Sequence, residues 1–164
     1  MFENLSHHHA ILVTGPQRSG TRITGKMIAH DTGLRFVDEE DIEFRRLDIL
    51  NPLFEKGGVV VQAPALSSIC HEFPDNVCVV FSIRDVDDII ASQARIGWPD
   101  RYEVKELSHY GVTSREQPVS LVKYLHWAKQ KLSIKHWVDS HYADLKDHPL
   151  WVEERGDFIW NQTE

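Results

Sequence analysis

The sequence predicts an α/β fold of three layers, in which helices cover both faces of a mostly parallel β-sheet. Four short, apolar runs are separated by segments of helical pattern, and a glycine-rich turn directly follows the first run. The runs are AILVT at 10–14, LRFVD at 34–38, GVVVQA at 58–63 and VCVVFSI at 77–83. Strands that are apolar on both faces and alternate with helices are typical of parallel sheets enclosed by helices.

The first helix is predicted to follow the glycine-rich turn GPQRSGTR at 15–22. Ile23, Met27 and Ile28 recur on one side of this segment, at the spacing of an amphipathic helix. Gly33 follows, and glycine commonly ends a helix because it readily adopts the left-handed conformation. The turn therefore connects a buried strand to the amino end of a helix.

Two more helices and a fifth strand are predicted further along the chain. Asp85 has the spacing of an N-cap for a helix that begins directly after it. Pro118 fits the first turn of a helix that runs to about residue 135. Its expected apolar side comprises Leu121, Leu125, Ala128 and Leu132. The segment 137–142 has an imperfect strand pattern and is predicted to form the fifth strand.

Length and composition indicate one compact domain, residues 1–164, with an irregular flap at about 97–117. A formal net charge of −7 argues against a nucleic-acid-binding surface. No apolar run approaches the ~20 residues that cross a bilayer, and no leader pattern is visible, so we expect a cytoplasmic protein. Cys70 and Cys78 lack the spacing of a zinc site, and the absence of a carboxylate or cysteine near His7–His9 in the sequence argues against a metal site there. The oligomeric state is left open.

The glycine-rich turn has the pattern of an anion-binding loop. A strand that turns through glycines into a helix directs backbone N–H groups and the positive helix end towards one point. Thr21 and Arg22 stand where an ATP-binding loop carries its lysine and its magnesium-binding hydroxyl. Arg18 and Arg22 could instead clamp a phosphate or sulfate with their planar forks. The alternative is an ordinary glycine turn with two solvent-facing arginines.

Four segments together resemble the sulfotransferases that use 3′-phosphoadenosine 5′-phosphosulfate, a family of P-loop nucleotide-hydrolase-like fold. The loop QRSGTR at 17–22 is similar to the family's donor loop, and FSIRDVDDIIASQARIGW at 81–98 is similar to its 3′-phosphate segment. The other two segments are 59–85, with its strand and proline, and HYADLKDHPLWVEE at 141–154. They follow one another in the order of the family and span most of the chain.

The resemblance implies transfer of a sulfuryl group from this donor to a hydroxyl or amine of a small-molecule or glycan acceptor. Arg18 would act on the sulfuryl or bridging oxygens, and no metal is required. The residues implied in holding the donor's 5′-phosphate are Arg18, Ser19, Gly20, Thr21 and Arg22. Arg84 and Ser92 match the residues that hold its 3′-phosphate. A salt bridge between Arg84 and a neighbouring aspartate is the structural alternative.

A general base must take the acceptor's proton. Members of the family with a GTR loop use a glutamate shortly after the second strand, which matches Glu39 or Glu40, with Glu40 slightly preferred. The same acidic run could simply begin a helix, and His71 is a weaker candidate. Four aromatic side chains in or beside the flap could form an acceptor wall or anchor the flap: Trp98, Tyr102, His109 and Tyr110.

The sequence also departs from the family in two respects, which keep other functions open. Gln62 stands where the family has a lysine after the third strand, and the family's basic, glycine-rich C-terminal segment is not visible. The alternatives are a P-loop kinase that acts on a nucleotide or small molecule, and a nucleotide-binding protein without catalytic activity.

Overall fold

The computed structural model describes residues 1–42, 47–98, 110, 118–152 and 157–158. Its strands are β1 (Ala10–Thr14), β2 (Arg35–Asp38), β3 (Val59–Gln62), β4 (Val77–Ile83), β5 (His136–His141), β6 (Trp151–Val152) and β7 (Asp157–Phe158). Its α-helices are α1 (Thr21–Thr32), α2 (Leu47–Lys56), α3 (Val86–Arg95) and α4 (Val119–Gln130). Short 3₁₀ turns join several of these elements, among them Glu39–Asp41 and Pro64–Ser68.

The main sheet contains five parallel strands in the order β2-β3-β1-β4-β5. β1 is central, with Leu12 in register with Val61 of β3 on one side and with Val79 of β4 on the other. The fifth strand, predicted at 137–142, is present at His136–His141 and pairs with β4. The α/β class and the parallel sheet are therefore confirmed. β6 and β7 form a separate antiparallel pair.

Helices cover both faces of the sheet because alternate residues of the central strands point to opposite sides. On one face, Ile11 and Val13 pack against the buried side of α1. On the other face, Leu12 packs with Phe54 of α2. The ring of Phe81 in β4 stacks on Trp127 of α4 at a centroid distance of 4.5 Å. This arrangement is consistent with three layers.

Local signals at the helix ends are confirmed. Gly33 has a left-handed conformation with φ of 71°, and its N–H donates to the carbonyl of Ala29. The Asp85 side chain accepts hydrogen bonds from the N–H groups of Asp87 and Asp88, as an N-cap does. Both features depend only on neighbouring residues, so the sequence predicts them reliably.

The predicted apolar side of α4 is wrong. Leu125 is 51% exposed and Leu132, beyond the helix end at Gln130, is 86% exposed. The buried face instead comprises Val119, Ser120, Val122, Lys123, Trp127 and Gln130. Lys123 and Gln130 donate hydrogen bonds to polar groups of neighbouring loops, so these side chains can be buried.

Most of the predicted flap at 97–117 lies outside the described residues, which include Gly97, Trp98 and Tyr110 of that range. Within the described part of the chain, none of the helices has the length and apolar character to cross a membrane.

Candidate functional site

The glycine-rich turn lies at the carboxyl end of β1, beside the carboxyl ends of β3 and β4. The chain leaves β1 at Thr14 and enters α1 at Thr21. In open parallel sheets, ligands bind outside the carboxyl ends of the strands, where the strand order reverses. β1 is such a point, because β2 and β3 lie on one side of it and β4 and β5 on the other.

Two glycines let the turn pass close to neighbouring elements. Gly15 has φ of +143°, and a Cβ there would lie 2.8 Å from the carbonyl oxygen of Ser82 in β4. Gly20 has φ of +94°, and its Cβ would lie 2.5 Å from Cδ2 of Tyr142. Positive φ and close packing both exclude larger residues. The turn therefore presents backbone groups to the carboxyl edge of the sheet.

In the middle of the turn, Ser19 forms two hydrogen bonds within the turn, and Arg18 has a strained backbone conformation. Ser19 is fully buried, and its hydroxyl and N–H both donate to the carbonyl of Pro16, at 2.7 and 3.1 Å. Arg18 has φ of 70°, which is uncommon for a residue with a side chain. Such strain is often found at functional sites. The Ser19 hydroxyl thus closes the turn, while the Arg18 side chain extends from it.

The amino end of α1 supplies hydrogen-bond donors. The carbonyl of Gly20 accepts the N–H of Thr24 at 3.0 Å. The preceding N–H groups, those of Thr21, Arg22 and Ile23, have no acceptor within the helix. They point outward along the helix axis, where the helix dipole also favours negative charge.

Arg18, Ser92 and Arg84 meet beside this helix end, although they come from three separate elements. Nε of Arg18 donates to Oγ of Ser92 at 3.1 Å. The guanidinium of Arg84 donates to the carbonyl of Arg18 at 3.1 Å. Ser92 is buried on α3, and Arg84 follows β4 directly. The residues that the sequence assigned to the two ends of a nucleotide donor therefore lie together.

Two tyrosines hold Arg84, one at its side chain and one at its backbone. Its guanidinium carbon lies 4.1 Å from the ring centroid of Tyr142, a cation–π contact. The Tyr124 hydroxyl accepts the Arg84 N–H and donates to the Arg84 carbonyl, and burial raises the pKa of Tyr124 so that this proton is retained. Nε of Arg84 is buried and has no hydrogen-bond partner among the described residues; Oδ2 of Asp88 lies 3.9 Å from it. The predicted alternative, a salt bridge between Arg84 and a neighbouring aspartate, is present at this distance, with Asp88 as the partner.

Arg22 points to the opposite side of the turn from Arg18. Its Nε lies 2.7 Å from Oδ2 of Asp38, and its terminal nitrogen donates to Oδ1 of Asp38 at 3.1 Å. The same nitrogen lies 2.9 Å from Oε1 of Glu40. The Arg22 fork is therefore engaged by two carboxylates, and its contribution to an anion site is its backbone N–H.

Glu39 and Glu40 have different environments after β2. The Glu40 side chain is 75% exposed and pairs with Arg22. Burial, with the nearby Asp38 carboxylate, raises the pKa of Glu39 to about 7. Oε2 of Glu39 is buried and has no hydrogen-bond partner among the described residues. Glu39 therefore has the properties of a proton acceptor near neutral pH, whereas Glu40 balances the charge of Arg22.

Thr21 stands where an ATP-binding loop carries lysine, and Gln62 stands where the family that the sequence resembles has a lysine after the third strand. Nε2 of Gln62 donates to the Thr21 hydroxyl at 3.0 Å, and both residues are buried. Oε1 of Gln62 has no hydrogen-bond partner among the described residues. This neutral pair connects the end of β3 to the start of α1 and contributes no positive charge.

Lys123 is a site residue that the sequence analysis missed. It lies on α4, has 0% relative exposure, and donates from Nζ to Oε1 of Gln17 at 2.8 Å. Its position among Val119, Val122 and Trp127 on one helix side was the available signal, because a lysine there is unusual on a buried face.

His71, Tyr110 and Trp98 are the remaining candidates that the structure describes. His71 hydrogen-bonds Gln130 at 2.8 Å and borders a shallow cavity beside the amino end of β4, at the opposite end of the sheet from the turn. The Tyr110 hydroxyl hydrogen-bonds Ser67, and Trp98 is 46% exposed. Tyr102 and His109 lie outside the described residues.

A cluster of His30, Asp31 and His148 is close enough to hold a metal ion, but its hydrogen bonds have another role. Nδ1 of His148 accepts the Leu150 N–H at 3.0 Å, so Nε2 carries the proton that it donates to Asp31. Burial alone would raise the pKa of Asp31, but hydrogen bonds from Phe2, His30 and His148 hold it well below its usual value. The cluster therefore fastens the amino-terminal segment to α1.

No protein-family model matches the chain, and no curated protein matches it.

Proposed function

We propose that this protein is a small sulfotransferase of P-loop-like fold, which binds 3′-phosphoadenosine 5′-phosphosulfate at the glycine-rich turn. One observation carries the proposal: Arg18, Ser92 and Arg84 converge from the turn, α3 and the end of β4. The first belongs to the loop that resembles the family's 5′-phosphate loop, and the other two to the segment that resembles its 3′-phosphate site.

The chemistry of the site fits a nucleotide with two separate anionic groups. The N–H groups at the start of α1 and the Arg18 side chain suit the 5′-linked group. Arg84 and Ser92 suit the ribose-linked phosphate, because the buried Nε of Arg84 has no hydrogen-bond acceptor in the part of the chain that the structure describes. When bound, the donor would supply an activated sulfuryl group.

The residues of the chain would stabilise negative charge and take up a proton. Arg18 would stabilise the charge that develops on the oxygens of the transferred group. Glu39 would accept the acceptor's proton, because its raised pKa keeps it basic near neutral pH. We assign this role to Glu39 in preference to Glu40, whose carboxylate pairs with Arg22.

The test is a comparison of ligands by thermal unfolding. We expect 3′-phosphoadenosine 5′-phosphate, at 100 times its Kd, to raise Tm by roughly 5–10 °C for a chain of this size. Adenosine 5′-monophosphate, which lacks the 3′-phosphate, should give a clearly smaller shift. ATP with magnesium should give no comparable shift, because Thr21 and Arg22 replace the lysine and the metal-binding hydroxyl.

A pair of matched variants tests whether Arg84 recognises the 3′-phosphate. Arg84→Ala should abolish the preference for the 3′-phosphorylated nucleotide, whereas Arg95→Ala, which removes an exposed arginine from the end of α3, should retain it. An absent shift with 3′-phosphoadenosine 5′-phosphate in the unsubstituted chain would refute the proposal. Magnesium-dependent ATP turnover would favour a kinase, and nucleotide binding without sulfuryl transfer to a broad acceptor panel would favour a silent binding protein.

A further inference from the structure

Arg84 binds an anion with full effect only if its side chain is already in place. A free arginine side chain populates many rotamers, and ordering it at the moment of binding lowers the affinity. Arg84 is the first residue after β4, beyond the last pair of that strand with β5, in which Ile83 lies beside His141. Two tyrosines from different parts of the chain, Tyr124 and Tyr142, contact it there.

Tyr124 of α4 fixes the backbone of Arg84. Its hydroxyl accepts the Arg84 N–H at 2.9 Å and donates to the Arg84 carbonyl at 2.7 Å. Its ring packs on Phe81 and on the apolar cluster that includes Trp127. A phenylalanine would suit these apolar neighbours equally well, so the hydroxyl is what the tyrosine adds. One hydroxyl thus satisfies two backbone groups that lie beyond the end of the sheet.

Tyr142, the first residue after β5, supports the guanidinium of Arg84. The guanidinium carbon lies 4.1 Å from the centroid of the Tyr142 ring, within the range of a cation–π contact. The ring is itself fixed, because it packs against Trp151 at a centroid distance of 5.5 Å and against Gly20, where a Cβ would approach it to 2.5 Å. Tyr142 therefore joins the Arg84 side chain to the residue that precedes α1.

The two tyrosines order Arg84 without enclosing it. The Arg84 side chain is 15% exposed, and its hydrogen bond to the carbonyl of Arg18, at 3.1 Å, lies at the surface. Asp88 constrains Arg84 little, because its carboxylate is 3.9 Å away and its side chain is 65% exposed. An arginine that is already ordered and still accessible is suited to bind a phosphate with its planar fork.

We propose that Tyr124 and Tyr142 are positioning residues, which hold Arg84 ready for the ribose-linked phosphate of the nucleotide. This inference rests on the proposed function and adds to it the residues through which Arg84 acts. At position 124 the hydroxyl is the group that matters, because it bonds the Arg84 backbone. At position 142 the ring is the group that matters, because it contacts the guanidinium.

The test measures the preference for the 3′-phosphorylated nucleotide. This preference is the Kd of adenosine 5′-monophosphate divided by the Kd of 3′-phosphoadenosine 5′-phosphate, both from calorimetry at fixed salt. We expect Tyr124→Phe and Tyr142→Leu each to lower it by roughly 3- to 10-fold, as for one side chain that must be ordered on binding. The affinity for adenosine 5′-monophosphate, which lacks the 3′-phosphate, should change little.

Two further variants control for the chemistry and the position of these changes. Tyr142→Phe retains the ring and should keep most of the preference, although the same loss of a hydroxyl at position 124 lowers it. Trp137→Leu removes the ring from another cation–π pair, with Lys131, and should leave the preference unchanged. Thermal unfolding without ligand shows whether each variant is folded at the temperature of the titration.

An unchanged preference in both Tyr124→Phe and Tyr142→Leu would overturn the inference and leave the proposed function intact. Equal losses of affinity for both nucleotides would also overturn it, because the tyrosines would then support the site as a whole. A loss in only one variant would overturn the role of the other tyrosine. If the unsubstituted chain shows no preference for the 3′-phosphorylated nucleotide, the proposed function itself fails.

A crystal structure of the unsubstituted chain with 3′-phosphoadenosine 5′-phosphate tests the arrangement without any variant. Contact between Arg84 and the 3′-phosphate, with both tyrosine contacts retained, supports the inference. A guanidinium that leaves the Tyr142 ring in order to reach the phosphate contradicts it.

Discussion

Two arginines of the same turn, Arg18 and Arg22, have opposite surroundings. Arg18 extends to the side of β4 and α3, where it meets Ser92 and the Arg84 side chain. Arg22 extends to the side of β2, where Asp38 and Glu40 neutralise it. The central position of β1 explains the difference, because the start of α1 separates a cationic side of the carboxyl edge from an acidic one. Residue type and spacing alone do not distinguish the arginine that carboxylates neutralise from the arginine that extends towards Ser92.

The two sides imply different chemical roles. If the proposed function holds, the cationic side, which includes Arg18 and Arg84, binds the anionic donor. The acidic side, formed by Asp38, Glu39 and Glu40, suits proton transfer from an acceptor. A group-transfer enzyme needs both sides at one edge of the sheet, with the reacting group between them.

The largest expected effect concerns the contact between the turn and β4. Gly15→Ala should destabilise the fold by about 3 kcal/mol or more, because the new Cβ would meet the Ser82 carbonyl at 2.8 Å in a strained backbone. Gly33→Ala is the control, since its φ is also positive but no atom lies within 4 Å, and it should cost about 1 kcal/mol. Urea unfolding measures both. Equal losses would show that the close approach to β4 is unimportant.

A smaller effect separates the two arginines directly. Arg18→Met should weaken binding of 3′-phosphoadenosine 5′-phosphate by roughly 10- to 100-fold, because it removes a charged donor next to Ser92. Arg22→Met should change the affinity by less than about 3-fold, because its charge is already paired. Calorimetric titration gives both constants. If Arg22→Met loses more affinity than Arg18→Met, the nucleotide binds on the side of Asp38 and Glu40, and the proposed role of Arg18 is contradicted.

Glu39, on the acidic side, should make the free energy of unfolding depend on pH. The folded pKa of Glu39, about 7, exceeds its ordinary value of 4.5. The folded state therefore binds more protons between these values, so Glu39 makes stability fall as the pH rises from about 4.5 to 7. Glu39→Gln removes this loss and should gain about 1–2 kcal/mol above pH 7, after allowance for partial exposure, and nothing below pH 4.5.

Chemical unfolding between pH 4 and 8 measures this difference. Glu55→Gln removes a carboxylate from the exposed surface of α2 and controls for the change in net charge. A gain for Glu39→Gln that stays constant with pH would show that burial does not shift the Glu39 carboxyl as described.

The smallest effect concerns the stability that Arg22 provides. Arg22→Met should cost about 1 kcal/mol or less, because the Arg22 side chain is 46% exposed and its ion pairs are partly screened. The loss should shrink in 1 M salt, which screens exposed charges. Thermal unfolding at low and high salt measures it. A loss several times larger, insensitive to salt, would mean that Arg22 supports the fold rather than balancing the charge of the acidic side.

Much of the fold could be predicted because its signals are local. The buried strands, the N-cap at Asp85 and the left-handed Gly33 each depend on residues within a few positions. The side of α4 that is buried could not be predicted, because the leucines at 125 and 132 follow a helical pattern that faces solvent. The buried polar side is stabilised by loops that are distant in sequence.

In the candidate site, too, some features follow from the local sequence and others only from the tertiary structure. Backbone geometry around the turn follows from its glycines and from the strand and helix on either side, so the sequence by itself determined that a glycine-rich turn connects β1 to α1. Only the tertiary structure decided which charges reach that turn. Arg22 is drawn to the carboxylates after β2, while Lys123 comes from a helix more than a hundred residues further along the chain. Charges act through distance in space, and the order of the strands in the sheet sets that distance.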